Sequence, residues 1–189
     1  IDPKYLELGK ANNLETAETI TFLSMVITDD DNLLTSIKTT SESYPLRGEL
    51  IVTDFNGSPI QNNGSPPTGH VWIEPKIVET LNIKNSSEIS IGNKVLKVDG
   101  IIQDFPDRNS SFVGFYPIAI ANINDISDMG VIQTGSRVVY RSMFSGSTRN
   151  LNNFTNDIGE IPADIRLQQA DDVGDELGEA LGESVTFFN

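Results

Sequence analysis

Apolar positions along this chain recur at two spacings, alternate positions in short β-prone runs and every third or fourth in short helical ones. The stretch from Gly69 to Arg108 shows both. His70 to Ile73 predicts a strand, and Pro75 suits the first turn of a helix to about Leu81, whose Ile77, Val78 and Leu81 share a side. Glu88 to Ile91 and Val95 to Val98 flank Gly92-Asn93, residues that tolerate positive φ, so they predict a tight hairpin. Its second strand runs on through Gly100-Ile-Ile102 to a loop at Asp104 to Arg108, where Pro106 cannot donate to a ladder.

The flanks read in the same way. Pro3 to about Asn13 predicts a helix that Gly9 and Asn12-Asn13 stop early. Thr19 to Ile27 and Leu33 to Thr40 predict a hairpin about the turn Asp29 to Asn32, and Leu50 to Val52 a strand before the Asn56-Gly57 turn. Gly57 to Gly69 carries one aliphatic residue, Ile60, and is expected to be a long, mobile loop. Phe112 to Ala121 reads as a strand broken at Pro117, and Asn124 as the cap of a short helix ending near Gly130. In the strand Arg137 to Phe144, alternation places Arg137, Val139 and Arg141 on one face, where carboxylates are expected opposite the arginines. Ser147 to Ile158 predicts a polar helix, Ala163 to Leu167 a strand, and Asp171 to Glu183 an acidic helix. That last helix carries Gly174, Gly178 and Gly182, each costing about 1 kcal/mol.

Composition narrows the classes of function. With 189 residues the chain can bury a substantial core as one domain or two small lobes. A net charge of −14 argues against nucleic acid or an anionic membrane surface as partner and favours solubility. The absence of cysteine excludes disulfides, thiolate chemistry and Cys-ligated zinc. No run approaches the roughly 18 apolar residues of a membrane span.

Motifs for chemistry are missing. His70 is the sole histidine and has no Cys or second His with which to hold a transition metal, which leaves it a structural or exposed role. Gly9-Lys10 is followed by Ala11, so there is no phosphate-binding Gly-Lys-Ser/Thr. No Gly-x-Ser-x-Gly elbow is present. The acidic turn fails as a calcium loop, because Leu34 and Thr40 stand where that motif needs Gly and Glu. No cofactor and no metal are expected.

Several segments together resemble a known family. They are AETITFLSMV at 17 to 26, YPLRGEL at 44 to 50, GHVWIEPKIVETL at 69 to 81, ISIGNKVLKVDGII at 89 to 102, Pro106-Asp107-Arg108, and VIQTGSRVVYR at 131 to 141. In this order they resemble the extracytoplasmic domain of ABC-transporter permeases of the MacB/FtsX-like kind, in particular the branch labelled as lysophospholipase-linked. One departure is Asn85-Ser86-Ser87-Glu88, where that family has a Gly-Asp pair.

The resemblance implies an α+β fold in two lobes. Residues 1–45 and 137–189 would form a porter-like lobe and residues 46–136 an inserted β-rich lobe. It implies a non-catalytic domain, on the periplasmic side of a bacterial membrane, that transmits ATP-driven conformational change or contacts substrate during export or extraction of a hydrophobic compound. Implied partners are a cytoplasmic ATPase, a second permease copy and an accessory periplasmic protein. A secreted β-rich module that binds carbohydrate or protein is the alternative. Candidate interaction or bracing residues are Tyr44, Arg47, Phe105, Asp107, Arg108, Arg137 and Arg141, with an internal brace preferred for the FPDR loop. As a permease domain, the chain should have both ends on one side, with the inserted lobe projecting away.

Overall fold

In the computed structural model, residues 2–61, 64–106, 115–133, 135–169 and 183–188 are described, the last of these as backbone. They form one sheet of ten strands with four α-helices. The strands are β1 (Glu15–Ile27), β2 (Asn32–Thr40), β3 (Ile51–Thr53), β4 (His70–Ile73), β5 (Glu88–Ile91), β6 (Lys94–Asp104), β7 (Ile118–Asn122), β8 (Val138–Ser145), β9 (Ile165–Gln169) and β10 (Glu183–Phe188). The helices are α1 (Lys4–Ala11), α2 (Pro75–Thr80), α3 (Ile126–Met129) and α4 (Thr148–Ile158).

Part of the sheet closes on itself. The pairings β1–β2, β2–β7, β7–β4, β4–β6, β6–β5 and β5–β1 return to the starting strand and make a six-stranded ring. Alternation fills its interior with Phe22, Val26, Ile37, Val71, Ile73, Ile89, Ile91, Leu96, Val98, Ala119 and Ala121, while Ile77 and Leu81 near α2 and Met129 of α3 join the same core. The closing seam is short. Only Val26 with Ile91 and Ile27 with Ser90 join β1 to β5.

The other half of β1 leads the sheet out of the ring. Residues 15 to 22 pair with β8, and β8 then continues to β10 and β9 in parallel. Helices α1 and α4 cover this part, burying Tyr5, Leu14, Phe144, Leu151 and Phe154, with the Phe144 and Phe154 rings 4.4 Å apart. Gly9 does not end α1, contrary to expectation. A Cβ there would lie 2.5 Å from the Phe144 ring, so the glycine admits the ring against the helix, which runs on to a cap at Asn12.

Local chemistry explains other details. A register shift between β4 and β6 leaves Asp99 without a strand partner, and beyond this bulge Gly100 and Ile102 point out of the ring. A Cβ on Gly100 would lie 2.3 Å from the Trp72 indole, which lies across the bare backbone. Ser86 holds φ 64°, the left-handed region, in the turn before β5. Asn122, not Asn124, caps the turn before α3, accepting from the Asn124 amide at 3.0 Å, because the cap must be the extended residue that ends β7.

Within the loop from Gly57 to Gly69, residues 64 to 66 are tied to β2 and β7 by hydrogen bonds. Thr40 Oγ1 donates to Gly64 O at 2.9 Å, Ser65 Oγ to Thr40 O at 2.9 Å, and Asn122 Nδ2 to Pro66 O at 2.8 Å. Hydrogen bonds replace the missing apolar contacts. The expected helix at 171–183 lies outside the described residues except for Glu183, which begins β10.

Replacing Gly100 with Ala should destabilise the domain by about 1–3 kcal/mol, because the new methyl must displace Trp72. Urea unfolding followed by tryptophan fluorescence measures this directly, since Trp72 is the sole tryptophan.

Candidate functional site

The outer face of the ring nearest the start of β1 carries a second core and three of the seven residues singled out in the sequence, Tyr44, Arg47 and Phe105. Tyr44, Leu50, Val52, Trp72, Ile102, Phe105, Ile118, Ile120 and Met143 pack there. The segment 44–50, which begins with a cis Tyr44–Pro45 bond, lies against the end of β6. Gly48, with φ 75°, brings its backbone so close to Pro106 that a Cβ would lie 2.7 Å from that ring.

Within this core sits a lysine. Lys38 projects from β2 at 4% exposure, donates from Nζ to the Tyr44 hydroxyl at 3.1 Å, and stands 4.6 Å from the Tyr44 ring centroid and 5.7 Å from that of Phe105. An ammonium taken from water needs acceptors and aromatic faces around it, and Tyr44 with Phe105 supplies both. Tyr44 and Phe105 are thus brought together, each about as buried as a core leucine. Phe105 is buried within this core and is not an exposed contact. Arg47 is exposed on the same segment. Asp107 and Arg108 lie outside the described residues.

The strand arginines sit elsewhere. Arg141 lies opposite Thr19 on β1 and shares its face with Val139 and Met143, the side on which Lys38 projects from β2. Arg137 precedes β8 and is exposed, and neither arginine is without an interaction.

A third cluster closes the far end of the ring. The Gly92-Asn93 turn docks on the end of α3, with the Asn93 amide donating to Met129 O at 2.8 Å. Gly92 has φ 58°, and a Cβ there would lie 2.1 Å from the same carbonyl. The next residue, Lys94, reaches Asp128 at 2.7 Å and Asp125 at 3.3 Å. Asp125 is fully buried and its other oxygen accepts from the Gly69 amide at 2.8 Å. Hydrogen bonds that Lys94 donates to Asp128 and then Asp125 raise its pKa, and the same contact with Lys94 lowers that of Asp128. His70 pairs through Nδ1 with the bulge residue Asp99, tying β4 to β6. Sequence reading missed Lys38 and this clasp, because a lysine in an alternating strand and a pair of aspartates on a short helix look like solvent-facing residues.

Among the described residues no group of three His, Cys, Asp or Glu side chains could hold a metal ion. Among the same residues no helix is long and apolar enough to cross a membrane.

No family model matches the chain. It is 27% identical over 150 residues to an uncharacterized ABC transporter permease, YbbP, of Escherichia coli strain K12, an alignment covering 79% of this chain and 18% of that protein. The chain therefore spans less than a fifth of its relative's length. Among solved structures, the fold is similar to the extracellular domain of YknZ, a noncanonic ABC-type transporter from Gram-positive bacteria. There the TM-score is 0.56 at 11% identity, over 81% of this chain and 76% of that one. It is also similar to the periplasmic region of MacB from Actinobacillus actinomycetemcomitans, with a TM-score of 0.53 at 9% identity over 81% and 72% of the two chains. The likeness drawn from the sequence motifs is borne out: the chain is similar to a segment of an ABC transporter permease and has the mixed α and β fold of such extracytoplasmic domains.

Two substitutions test the buried charges. Tyr44→Phe removes an acceptor from the buried Lys38 ammonium and should cost about 1–3 kcal/mol in chemical denaturation. Asp125→Asn keeps the shape but weakens the hold on Lys94, again by about 1–3 kcal/mol. The Asp128 contact should be pH-dependent. A carboxyl whose folded pKa is depressed contributes stability above its unfolded pKa and loses it as pH falls through the folded value, so the difference in melting temperature between wild type and Asp128→Asn should vanish in acid.

Proposed function

We propose that the chain is the extracytoplasmic part of an ABC-transporter permease and that its work is mechanical. The observation that carries this reading is a register. Glu15, the first residue of β1, and Phe188, the last of β10, both pair with Ser145 at the end of β8. The described chain thus enters and leaves the sheet at one end, two strand spacings or about 10 Å apart. The ring seam lies at the opposite end of β1, about 40 Å away at ~3.3 Å per residue. That is the arrangement needed if both ends continue into helices of one membrane bundle while the ring projects from the membrane.

In this reading, residues 1–45 and 137–189 form the part next to the membrane and residues 46–136 the projecting part, with β1 and β2 common to both. Closure of a cytoplasmic ATPase partner moves the membrane helices, and β1 carries that movement to the ring. The domain supplies no catalytic group. Tyr44 and Phe105, with Arg47 on the same segment as Tyr44, brace the projecting part against β2, and Arg137 and Arg141 brace the part next to the membrane; Asp107 and Arg108 remain candidate bracing or interaction residues. The full permease acts as a dimer that exports or extracts a hydrophobic compound, with an accessory protein on the outer side. The similarity to YbbP and the folds of YknZ and MacB support this assignment.

The test uses the whole permease with its ATPase. Spin labels on exposed ring positions of the two copies should report a changed separation when ATP is bound, and an unchanged separation through the ATP cycle would overturn the mechanical role. The gene should also encode apolar segments of about 20 residues on both sides of this chain. A secretion signal with no such segments would favour the secreted binding module instead.

A further inference from the structure

The second core covers only part of the ring's outer face. Toward the finish of β1 that cover stops. There Met25 pairs with Leu34 across the hairpin, and Ile27 stands in one row with Ser90 of β5 and, beyond it, Val95 of β6. The alternation that sends Val26, Ile91 and Leu96 into the ring turns these four aliphatic side chains outward, at 37% exposure for Met25, 45% for Ile27, 38% for Leu34 and 54% for Val95. Aliphatic groups in register over neighbouring strands make a surface of roughly a few hundred Å², the size at which patches on monomers are often functional.

At the β1 end of this patch the charge is one-sided, whereas on β6 Lys97 faces out opposite Glu88. β1 ends at Ile27 and is followed by Thr28, Asp29, Asp30 and Asp31, all three aspartates exposed, and no ion pair among the described residues neutralises them. Anionic lipid is repelled by such a rim. A second copy docking this face on itself would oppose two aspartate clusters, and the patch is well short of the ~800 Å² per partner of a stable dimer. A protein segment with aliphatic side chains beside Lys or Arg matches both the apolar row and the charge.

We propose that this face, built by Met25, Ile27, Leu34 and Val95 beside Asp29 to Asp31, is a docking surface for a basic, aliphatic segment of a separate protein. The row from Ile27 to Val95 crosses the two-pair seam between β1 and β5, so an occupant bridging it holds the ring shut. The inference rests on this surface alone, not on the permease reading, and its failure would leave that reading untouched.

The test uses the 189-residue chain and two capped peptides of equal charge, one alternating Leu with Lys and one alternating Ser with Lys. The Leu-Lys peptide should bind at low salt and slow hydrogen exchange of the amides at 26–27 and 90–91. Its affinity should fall by about tenfold or more in Ile27→Ser/Val95→Ser and in Asp29→Asn/Asp30→Asn/Asp31→Asn, each checked as folded by circular dichroism. Equal binding of the two peptides, or binding indifferent to Ile27→Ser/Val95→Ser, would overturn the proposal. So would self-association in sedimentation that Ile27→Ser/Val95→Ser abolishes, or flotation with phosphatidylglycerol vesicles that the same variant abolishes.

Discussion

Everything in this domain hangs on β1, a strand of 13 residues that meets three different neighbours. Its first eight residues pair with β8, its last two with β5, and residues 19 to 27 with β2 throughout. No other element reaches both the ring and the sheet that leads out of it along so much of its length. The β-branched and aromatic run Thr19 to Ile27 makes this possible, since such residues fit a pleated surface buried on either face. The inward set, Phe22 and Val26, belongs to the ring core, while Ala17 on the other face belongs to the second core. One strand therefore couples two hydrophobic cores whose contents do not mix.

Sequence made the local elements legible and left their closure hidden. The hairpin at Asp29 to Asn32, the helix opened by Pro75 and the turn at Gly92-Asn93 each follow from residues within a few positions of one another, and each is found. The pairing of Ile27 with Ser90 and the parallel pairing of β2 with β7 join residues far apart in the chain, and no local signal encodes them. The bulge at Asp99 is a different kind of loss. It inverts the alternation halfway along β6, so a reading that carries the pattern of Leu96 and Val98 forward assigns Ile102 to the wrong core. Of the candidate residues, Tyr44 and Phe105 were legible as aromatic positions in motifs, but the lysine that draws them together was not, because burial of an ammonium depends on neighbours from other segments.

Buried charge is used sparingly for a chain of net charge −14. Lys38 fixes the second core to β2, and Asp125 fixes the hairpin tip and the Gly69 amide to the end of the ring. Each is an ionic group held by residues outside its own element. Losing a partner leaves a charge stranded, so such contacts impose one arrangement of the loops where apolar packing alone would accept several. Exposed acidic residues such as Asp29 to Asp31 add negative charge to the surface.

The shared register of Glu15 and Phe188 on Ser145 has a mechanical consequence. If both chain ends are displaced in the same direction, β1 and β10 travel together and the sheet between them is not deformed. If one end advances relative to the other, the difference is taken up as shear along eight paired residues between β1 and β8 and six between β8 and β10. Ladders loaded in shear share the force among all their hydrogen bonds at once, whereas peeling breaks them singly. Under the proposed role, a sheet with this register would translate rigidly under the first motion and resist the second, so the ring would receive the common movement of the two ends and not their disagreement.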